Sequence, residues 1–398
     1  MFASRRVSAA AAVGFMVLAA GCSSKSASTT PAASQSPGTS VSSSASVPAT
    51  SDSTSAAPTG DVPPAIKASG GESLLPGTPP AGVEAQYGPV CKGSDLGIPK
   101  FDPKTATIGW AQSEKEANPF RVASTKSEVA EAAKLGIKLL TTNAQSDPNK
   151  ENSDIKGMID QGAKAIIFSP INSTGLKPAI DYAKSKHVAM IPVDRNITGV
   201  KACQEVGPQL GSDFVLQGRR AADAMIKATG GTANLVILLG ATGVNVTDDR
   251  TNGFLDELKT KNATGIKVIA QQTGNFNRAD GQKVMETFLN AHPELNAVYA
   301  ENDEMALGAL VALKAKDKAG IDKTHIVTID GTKGAVQGIV DGFIDVVIES
   351  NPAFGPAAEA ALNAYVNGDG APAVTITTDN VYDNKADAAK AVADGSAY

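Results

Sequence analysis

The chain has 398 residues, of which 42% are hydrophobic and 19% are charged, and its formal net charge is -5. This length accommodates two domains of ordinary size, and an acidic balance without a long Lys/Arg run argues against nucleic acid as a partner. With only 3 His and 3 Cys, and no Cys/His cluster at zinc-ligand spacing, the sequence predicts neither a metal site nor a cofactor.

Residues 1–21 have the pattern of a secretory signal peptide, in which Arg5 and Arg6 precede an apolar stretch too short to span a bilayer. The small residues before Cys22 resemble the lipobox of bacterial lipoproteins, in which the cysteine is acylated and becomes the mature N-terminus. An ordinary signal peptide that happens to contain a cysteine is the alternative. Each buried acyl methylene contributes about 0.8 kcal/mol, so acylated Cys22 would anchor the chain at a membrane.

Residues 22–100 are predicted to be a flexible tether. Up to about Pro80 they are mostly Ser, Thr, Ala, Pro and Gly, with too few large apolar side chains to offset the entropy of ordering. The folded part is expected to begin between Tyr87 and Lys104.

Two cysteines remain after the anchor, Cys91 and Cys203. In a chain exported to an oxidising compartment we expect them to form a disulfide, and two separate buried thiols are the alternative.

The remainder alternates short Val/Ile-rich runs with segments of helical spacing that tend to stop at a glycine, as Gly136 and Gly230 illustrate. The runs are the predicted strands, at 107–110, 137–141, 165–168, 189–193, 235–239, 266–270, 297–300, 326–329 and 346–348. About nine strand-helix units exceed one doubly wound sheet and fit two, so the predicted class is α/β with two lobes.

Ligands of such sheets lie beyond the carboxyl ends of the strands, and these positions are polar and aromatic here. The residues concerned are Asn118, Phe120, Arg121, Asp194, Arg195, Arg250, Phe276, Asn302 and Asp330. Aromatic planes stack on the C–H faces of a sugar ring, while arginine, amide and carboxylate groups bind hydroxyls. The pattern therefore indicates a sugar site.

Five ordered segments carry a family resemblance: VDRN (193–196), DDRTNGF (248–254), GNFNRADGQKVMETFL (274–289), YAENDEMALGAL (299–310) and TIDGT (328–332). With them the chain, from about Thr105 to Tyr398, resembles the ribose/galactofuranose-type periplasmic sugar-binding proteins of ABC importers. The resemblance implies a type I periplasmic binding protein, with two Rossmann-like parallel-sheet lobes that are joined by three crossovers and close on one sugar.

Carried over position by position, the resemblance assigns ligand roles. Phe120 and Phe276 would sandwich the ring, and Asp194 with Arg195 would grip adjacent hydroxyls. The remaining ligands would be Asn118, Arg250, Asn302 and Asp330.

Three positions depart from the ribose binders. Arg121 stands where they carry a second aromatic and matches the galactofuranose binder, which favours a furanose or a larger sugar. Ser350 replaces a hinge glutamine. Asn245, between two valines beside Arg250, is a further predicted ligand.

By the same resemblance the crossovers fall near residues 207–212, 349–352 and 377–382. The N-terminal lobe would then consist of residues 101–210 plus 351–378, and the C-terminal lobe of residues 211–350 plus 379–398.

The predicted function is that of a lipid-anchored, monomeric solute-binding protein at the outer face of the bacterial cytoplasmic membrane. It would bind a monosaccharide, galactofuranose or arabinofuranose, by hinge closure and deliver it to ABC permease and ATPase subunits. A sensor that docks on a receptor or kinase is the alternative. A sugar-responsive repressor is opposed by the signal sequence and by the lack of a helix-turn-helix segment before Thr105.

An enzyme is not expected, because no nucleophile with its base is visible. A glycosidase using Asp194 and Asp330 is opposed by the adjacent arginines, which we expect to lower the pKa of both carboxyls.

Overall fold

The computed structural model describes residues 82–398, so the predicted signal peptide and the predicted lipidation site at Cys22 lie outside the described residues. Strand β1 (Val83–Cys91) lies within residues 22–100, and a short 3-10 helix follows at Gly93–Leu96. The assignment of residues 83–96 to the tether was therefore wrong. The reason is long-range pairing, since β1 is antiparallel to a strand almost three hundred residues later.

The first lobe has a parallel sheet of four strands in the order β3-β2-β4-β5. The strands are β2 (Thr107–Gln112), β3 (Lys138–Asn143), β4 (Ala165–Phe168) and β5 (Ala189–Pro192). The helices between them are α1 (Pro119–Leu135), α2 (Pro148–Asp160) and α3 (Lys177–Ser185). The two central strands, β2 and β4, are almost wholly buried, as expected for a sheet covered on both faces.

The chain leaves the first lobe through β6 (Gln209–Gly211) and enters a second lobe with a sheet in the order β13-β11-β10-β9-β7-β8. Its strands are β7 (Ala233–Leu239), β8 (Ile266–Thr273), β9 (Ala297–Ala300), β10 (His325–Asp330), β11 (Val346–Glu349) and the antiparallel β13 (Val381–Tyr382). Its helices are α4 (Phe214–Thr229), α5 (Asn245–Thr260), α6 (Arg278–Ala291), α7 (Asp303–Ala315), α8 (Lys333–Val340) and α10 (Lys385–Asp394).

After β11 the chain returns to the first lobe, where α9 (Gly355–Asn367) packs on α1. Strand β12 (Ala371–Thr377) then pairs with β1 on one side and β6 on the other, and the chain crosses a third time to reach β13. Two Rossmann-like lobes joined by three crossovers are the fold that the sequence predicts, so the fold class is confirmed.

A disulfide joins Cys91 at the end of β1 to Cys203 in the loop before β6. The bond closes a loop with a sequence separation of 112 residues and fastens β1 to the first lobe. Within residues 82–398, none of the helices has the length and apolarity needed to cross a bilayer.

Close contact between α4 and α5 depends on two glycines. A Cβ on Gly218 would clash with the carbonyl oxygen of Arg250, and a Cβ on Gly253 would clash with that of Val215. Because neither side chain is present, the two helix backbones touch, and this contact fixes the part of α5 that carries Arg250.

Candidate functional site

A cavity lies between the two lobes. It is lined by Glu114, Asn118, Phe120, Arg121, Asp194, Arg195, Val246, Arg250, Phe276, Asn302, Asp330 and Ser350. Nine of the ten residues that the sequence suggests as ligands are in this set, and Asn245 is not. The cavity lies at the carboxyl ends of strands from both sheets, where open α/β sheets bind their ligands.

Glu114 is a cavity residue that the sequence analysis missed. It lies two residues beyond β2 and bridges two arginines: its Oε1 is 2.5 Å from Nη2 of Arg195, and its Oε2 is 3.3 Å from Nε of Arg121. Burial acts to raise the pKa of Glu114, but the charges of Arg195 and Arg121 outweigh it and hold the pKa at about 2. Glu114 is therefore ionised at every physiological pH.

Arg121 extends this network to Asp194. Its Nη1 donates to Oδ2 of Asp194 at 2.7 Å and to Oγ of Ser169 at 3.1 Å. Burial opposes the charge of Arg121, but Glu114 and Asp194 raise its pKa above the ordinary value. Asp194, Arg121 and Glu114 thus form a fixed row of charges on the first-lobe wall of the cavity.

The second lobe contributes Arg250 from α5 and Asp330 from the end of β10. Arg250 donates through Nε to Oε1 of Gln217 at 2.9 Å and through Nη1 to the carbonyl oxygen of Glu301 at 2.5 Å. Its Nη2 lies 3.5 Å from Oδ1 of Asp330. Two bonds to the lobe itself hold the guanidinium so that its remaining edge faces Asp330 and the cavity.

The expectation that an adjacent arginine lowers the pKa of Asp330 was wrong. Burial raises the pKa of this carboxyl, and the opposing charge of Arg250 does not compensate. A protonated Asp330 can donate a hydrogen bond as well as accept one, which suits it to a ligand hydroxyl.

Two aromatic rings enter the cavity from different lobes. Phe120 lies in the first turn of α1 and packs edge-on against Phe354, with ring centroids 6.2 Å apart. Phe276 precedes α6, and Gly240 leaves room for it, because a Cβ on that glycine would clash with the ring. Both rings are at least nine-tenths buried, so they present hydrophobic faces to whatever the cavity holds.

Three cavity residues have positive φ angles: Asp194 at 68°, Phe276 at 55° and Asp330 at 146°. Aspartate tolerates the left-handed region better than most residues, but for a bulky residue such as Phe276 it is an outlier. Strain of this kind costs on the order of 1–3 kcal/mol per residue and clusters at ligand sites. In this protein the positive φ angles direct all three side chains into the cavity.

Both asparagines in the cavity are helix caps. Oδ1 of Asn118 accepts from the amide of Phe120 at 3.0 Å, and Oδ1 of Asn302 accepts from the amide of Met305 at 3.0 Å. Their amide oxygens are thus engaged by the backbone. The group that each can offer to a ligand is its Nδ2, and that of Asn302 also donates to the carbonyl of Phe276 at 3.3 Å.

Asn245 was predicted as a ligand, but it binds the opposite lobe instead. Its Oδ1 accepts from the backbone amide of Asn196 at 3.0 Å, and its backbone amide donates to Oγ of Ser173 at 3.0 Å. The first residue of α5 thus contacts the first lobe, and the next residue, Val246, lines the cavity. These contacts hold the lobes together, and the described structure is closed.

The crossovers meet at Asp379. Its Oδ1 accepts from Oγ of Ser212 and from the amide of Asn351, each at 2.9 Å, and its Oδ2 accepts from Nε2 of Gln217 at 2.8 Å. Gln217 in turn holds Arg250. One carboxyl therefore connects all three crossovers to an arginine of the cavity.

Residues 109–393 match the family described as the periplasmic binding protein domain, and the chain belongs to this family. It is 33% identical to the ribose import binding protein RbsB of Bacillus subtilis (strain 168) over 249 residues, which are 63% of this chain and 77% of the relative. It is 32% identical to the galactofuranose-binding protein YtfQ of Escherichia coli (strain K12) over 284 residues, which are 69% of this chain and 87% of that protein.

Among solved structures, it is similar to the periplasmic binding protein component of the arabinose ABC transporter from Shewanella sp. ANA-3, bound to α- and β-L-arabinofuranose. The TM-score is 0.68 at 33% sequence identity, covering 72% of this chain and 95% of the other. The type I periplasmic binding protein that the motifs of the sequence indicate is thus confirmed.

Proposed function

We propose that this protein binds one monosaccharide in the cavity between its lobes and delivers it to the permease of an ABC importer. The observation that carries the proposal is the composition of the cavity: two buried aromatic rings from opposite lobes among fixed arginine, carboxyl and amide groups. Aromatic faces and convergent polar groups are what a sugar ring with its hydroxyls requires.

The charges in the cavity favour an uncharged ligand. Arg121 and Arg195 are paired with the carboxylate of Glu114, and Arg121 also with that of Asp194. Arg250 donates to Gln217 and to the carbonyl of Glu301 and faces the carboxyl of Asp330. Each guanidinium lies within 4 Å of at least one of these carboxyls. An anionic ligand would need an unpaired cation, whereas hydroxyl groups can join an existing network of donors and acceptors.

The enclosure of the cavity favours a single ring. Residues of both lobes line it, and Asn245, next to the lining residue Val246, adds hydrogen bonds between the lobes. An oligosaccharide would have to hold the lobes apart.

We infer that the bound sugar is a furanose, galactofuranose or arabinofuranose. The resemblance supports this, since it matches Arg121 to a position that is aromatic in the ribose binders and arginine in the galactofuranose binder. One relative is named for galactofuranose binding and one similar structure was solved with arabinofuranose, whereas several relatives are named for ribose import. Ribose is therefore the control that the test must include.

We also propose that the protein is exported, acylated at Cys22 and anchored as a monomer at the outer face of the cytoplasmic membrane. The lipobox-like residues before Cys22 and the tether composition that follows them support the proposal. Metabolic labelling with a radioactive fatty acid tests it: label is expected in wild type and absent from C22A. Equal labelling of the two would refute acylation at this cysteine.

Thermal unfolding against a panel of sugars tests the binding proposal. Because a ligand that binds only the folded state stabilises it by mass action, a sugar at 100 times its Kd should raise Tm by about 3–5 °C. The panel contains L-arabinose, D-galactose, D-fucose, D-ribose and D-fructose. Shifts with the first two and none with ribose are expected, and no shift with any sugar would refute the proposal.

The ring form needs a separate measurement. We expect ¹³C NMR of the complex with C1-labelled sugar to show the anomeric signal of the furanose, although the pyranose dominates in free solution. A pyranose signal from the bound sugar would contradict the furanose assignment and leave monosaccharide binding intact.

A further inference from the structure

Tyr398 lies behind the cavity without lining it. The chain turns back after α10, and the carbonyl oxygen of Tyr398 accepts from the amide of Lys333, at the start of α8, at 2.7 Å. The preceding residue, Ala397, is buried, and its amide donates to the carbonyl of Ala391 at 3.1 Å. The segment that carries Tyr398 is therefore packed on the second lobe.

The hydroxyl of Tyr398 reaches the backbone that carries Asp330. It lies 2.9 Å from the carbonyl oxygen of Asp330 and 3.3 Å from that of Ser350. The carbonyl of Asp330 also accepts from the amide of Ser350 at 2.8 Å. These bonds act on the residue whose φ of 146° directs a carboxyl into the cavity.

The hydroxyl remains a donor over the physiological pH range. Burial, together with the carboxyls of Asp330, Asp303 and Glu349, holds the pKa of Tyr398 well above its ordinary value. A donor that does not titrate can hold a strained carbonyl at any pH at which the protein works.

The ring of Tyr398 contacts the other lobe. It packs edge-on against Phe120, with centroids 6.3 Å apart and ring planes at 69°. Phe120 is an aromatic side chain of the cavity and belongs to α1 of the first lobe. One side chain outside the cavity thus touches a cavity residue of each lobe.

We propose that Tyr398 is a positioning residue of the ligand site, which fixes the Asp330 backbone through its hydroxyl and the Phe120 ring through its own ring when the lobes are closed. The inference rests on the proposed function, because it concerns the affinity of the same site. Neither a ligand contact nor a change of fold is needed for Tyr398 to act in this way.

The test is the affinity of wild type and Y398F for the sugar that gives the largest thermal shift. Loss of the hydroxyl removes one hydrogen bond, so Kd should rise roughly three- to tenfold. Y365F is the matched control, since Tyr365 is a fully buried tyrosine whose hydroxyl has no partner among residues 82–398. Its Kd should stay within about twofold of wild type, as expected for a residue outside the cavity.

A double-mutant cycle separates positioning from general stability. If Tyr398 acts through Asp330, Y398F should weaken binding much less in a D330N background than in wild type. Arg195 belongs to the other lobe, so in the double variant the effects of Y398F and R195A on Kd should add. Titration up to millimolar sugar keeps the weakened variants measurable.

Two results would overturn the proposal while sugar binding stands: an unchanged Kd in Y398F, or effects of Y398F and D330N that simply add. A wild-type protein that binds no sugar would overturn the proposed function, and the role of Tyr398 with it. Thermal unfolding of each variant without sugar shows whether it is folded, and Y398F is expected to be.

Discussion

Glu114 determines how the two first-lobe arginines face a ligand. By bridging Arg121 and Arg195 it aligns both guanidinium groups and balances their charge. It lies in a loop with Lys115 and Glu116, and in sequence it looks like one charge of an exposed run. Its distance of two residues from the end of β2 is the signal that could have identified it, since ligands gather at strand ends.

Replacing Glu114 should destabilise the protein in a pH-dependent way. Its folded pKa of about 2 lies below the unfolded value, so its stabilisation is present above the unfolded pKa and is lost as pH falls through 2. We expect E114Q to reduce the free energy of unfolding at pH 7 by about 3 kcal/mol, because two buried arginines lose a partner. Urea unfolding at pH 7 and pH 3 should show a smaller difference at pH 3.

E116Q is the matched control, as Glu116 is exposed and two residues away. An equal loss of stability in E114Q and E116Q, or a loss in E114Q that is the same at both pH values, would contradict the account of the charge network.

Arg195 is expected to be the residue on which ligand affinity depends most. It is buried, and its Nη1 is held by the carbonyl of Ile171 at 2.5 Å. Its Nε makes no hydrogen bond among the described residues, although Oδ2 of Asp194 lies 3.8 Å away. Loss of a charged hydrogen bond to a ligand hydroxyl is worth about 1.5–3 kcal/mol, so R195A should weaken binding by at least tenfold.

Calorimetric titration of R195A and of R278A as a control measures this difference. Arg278 is an exposed arginine of the second lobe paired with Glu304, and R278A should bind like wild type. Wild-type affinity in a folded R195A would remove Arg195 from the site.

At the scale of elements, the nine apolar runs of the sequence correspond to nine strands of the two lobe sheets, with bounds that differ by no more than three residues at any end. Four strands were not predicted. β6 and β13 are only three and two residues long, β1 contains Gly88 and Pro89, and β12 was missed although it contains Val374 and Ile376. Their pairing depends on partners distant in sequence, and a local pattern does not contain that information.

The contact between α1 and α9 contains a feature that hydrophobic periodicity hides. Glu128 and Glu359 are both buried, and none of their carboxyl oxygens has a donor among the described residues. Burial, with the neighbouring carboxyl of Glu359, raises the pKa of Glu128 well above its ordinary value, and burial also raises that of Glu359. A carboxyl that stays protonated carries no charge, so the raised pKa values allow the two groups to remain buried together.

This pair should make the protein less stable as pH rises. A folded pKa above the unfolded value gives stability that is fully present below the unfolded pKa and is lost as pH rises through the folded pKa. E128Q removes one titrating group and supplies a donor, so it should stabilise the protein at pH 8 by about 1–3 kcal/mol relative to wild type. At pH 4 the two should be nearly equal.

Urea unfolding of wild type and E128Q at the two pH values measures the effect. E286Q, at an exposed position of α6, is the control and should change neither value. If E128Q is less stable than wild type at pH 8, the carboxylate of Glu128 stabilises the fold in its ionised form, which would contradict this account.

At the scale of the whole molecule, the inter-lobe contacts of Asn245 bear on closure. The sequence pattern placed Asn245 beside Arg250 but did not show which lobe its side chain meets, because that depends on the relative position of two lobes in space. In the structure its side chain accepts from the backbone amide of Asn196 in the first lobe. A ligand that contacts both lobes shifts the population towards this closed form.

Removing that contact should weaken binding through closure. N245A loses one inter-lobe hydrogen bond, so Kd should rise roughly three- to tenfold, mainly through faster dissociation. Stopped-flow or surface-based kinetics with the bound sugar measures the two rates. N290A, at an exposed position of α6, is the control, and a slower association with unchanged dissociation in N245A would contradict a closing role.

The central claim is that one sugar molecule binds between the lobes, and calorimetric titration of the full chain with L-arabinose and D-galactose tests it most directly. We expect one site per chain, a Kd near 1 μM, which corresponds to about -8 kcal/mol, and a Kd at least tenfold higher in R195A. Absence of binding by both sugars, or binding that R195A leaves unchanged, would contradict the claim.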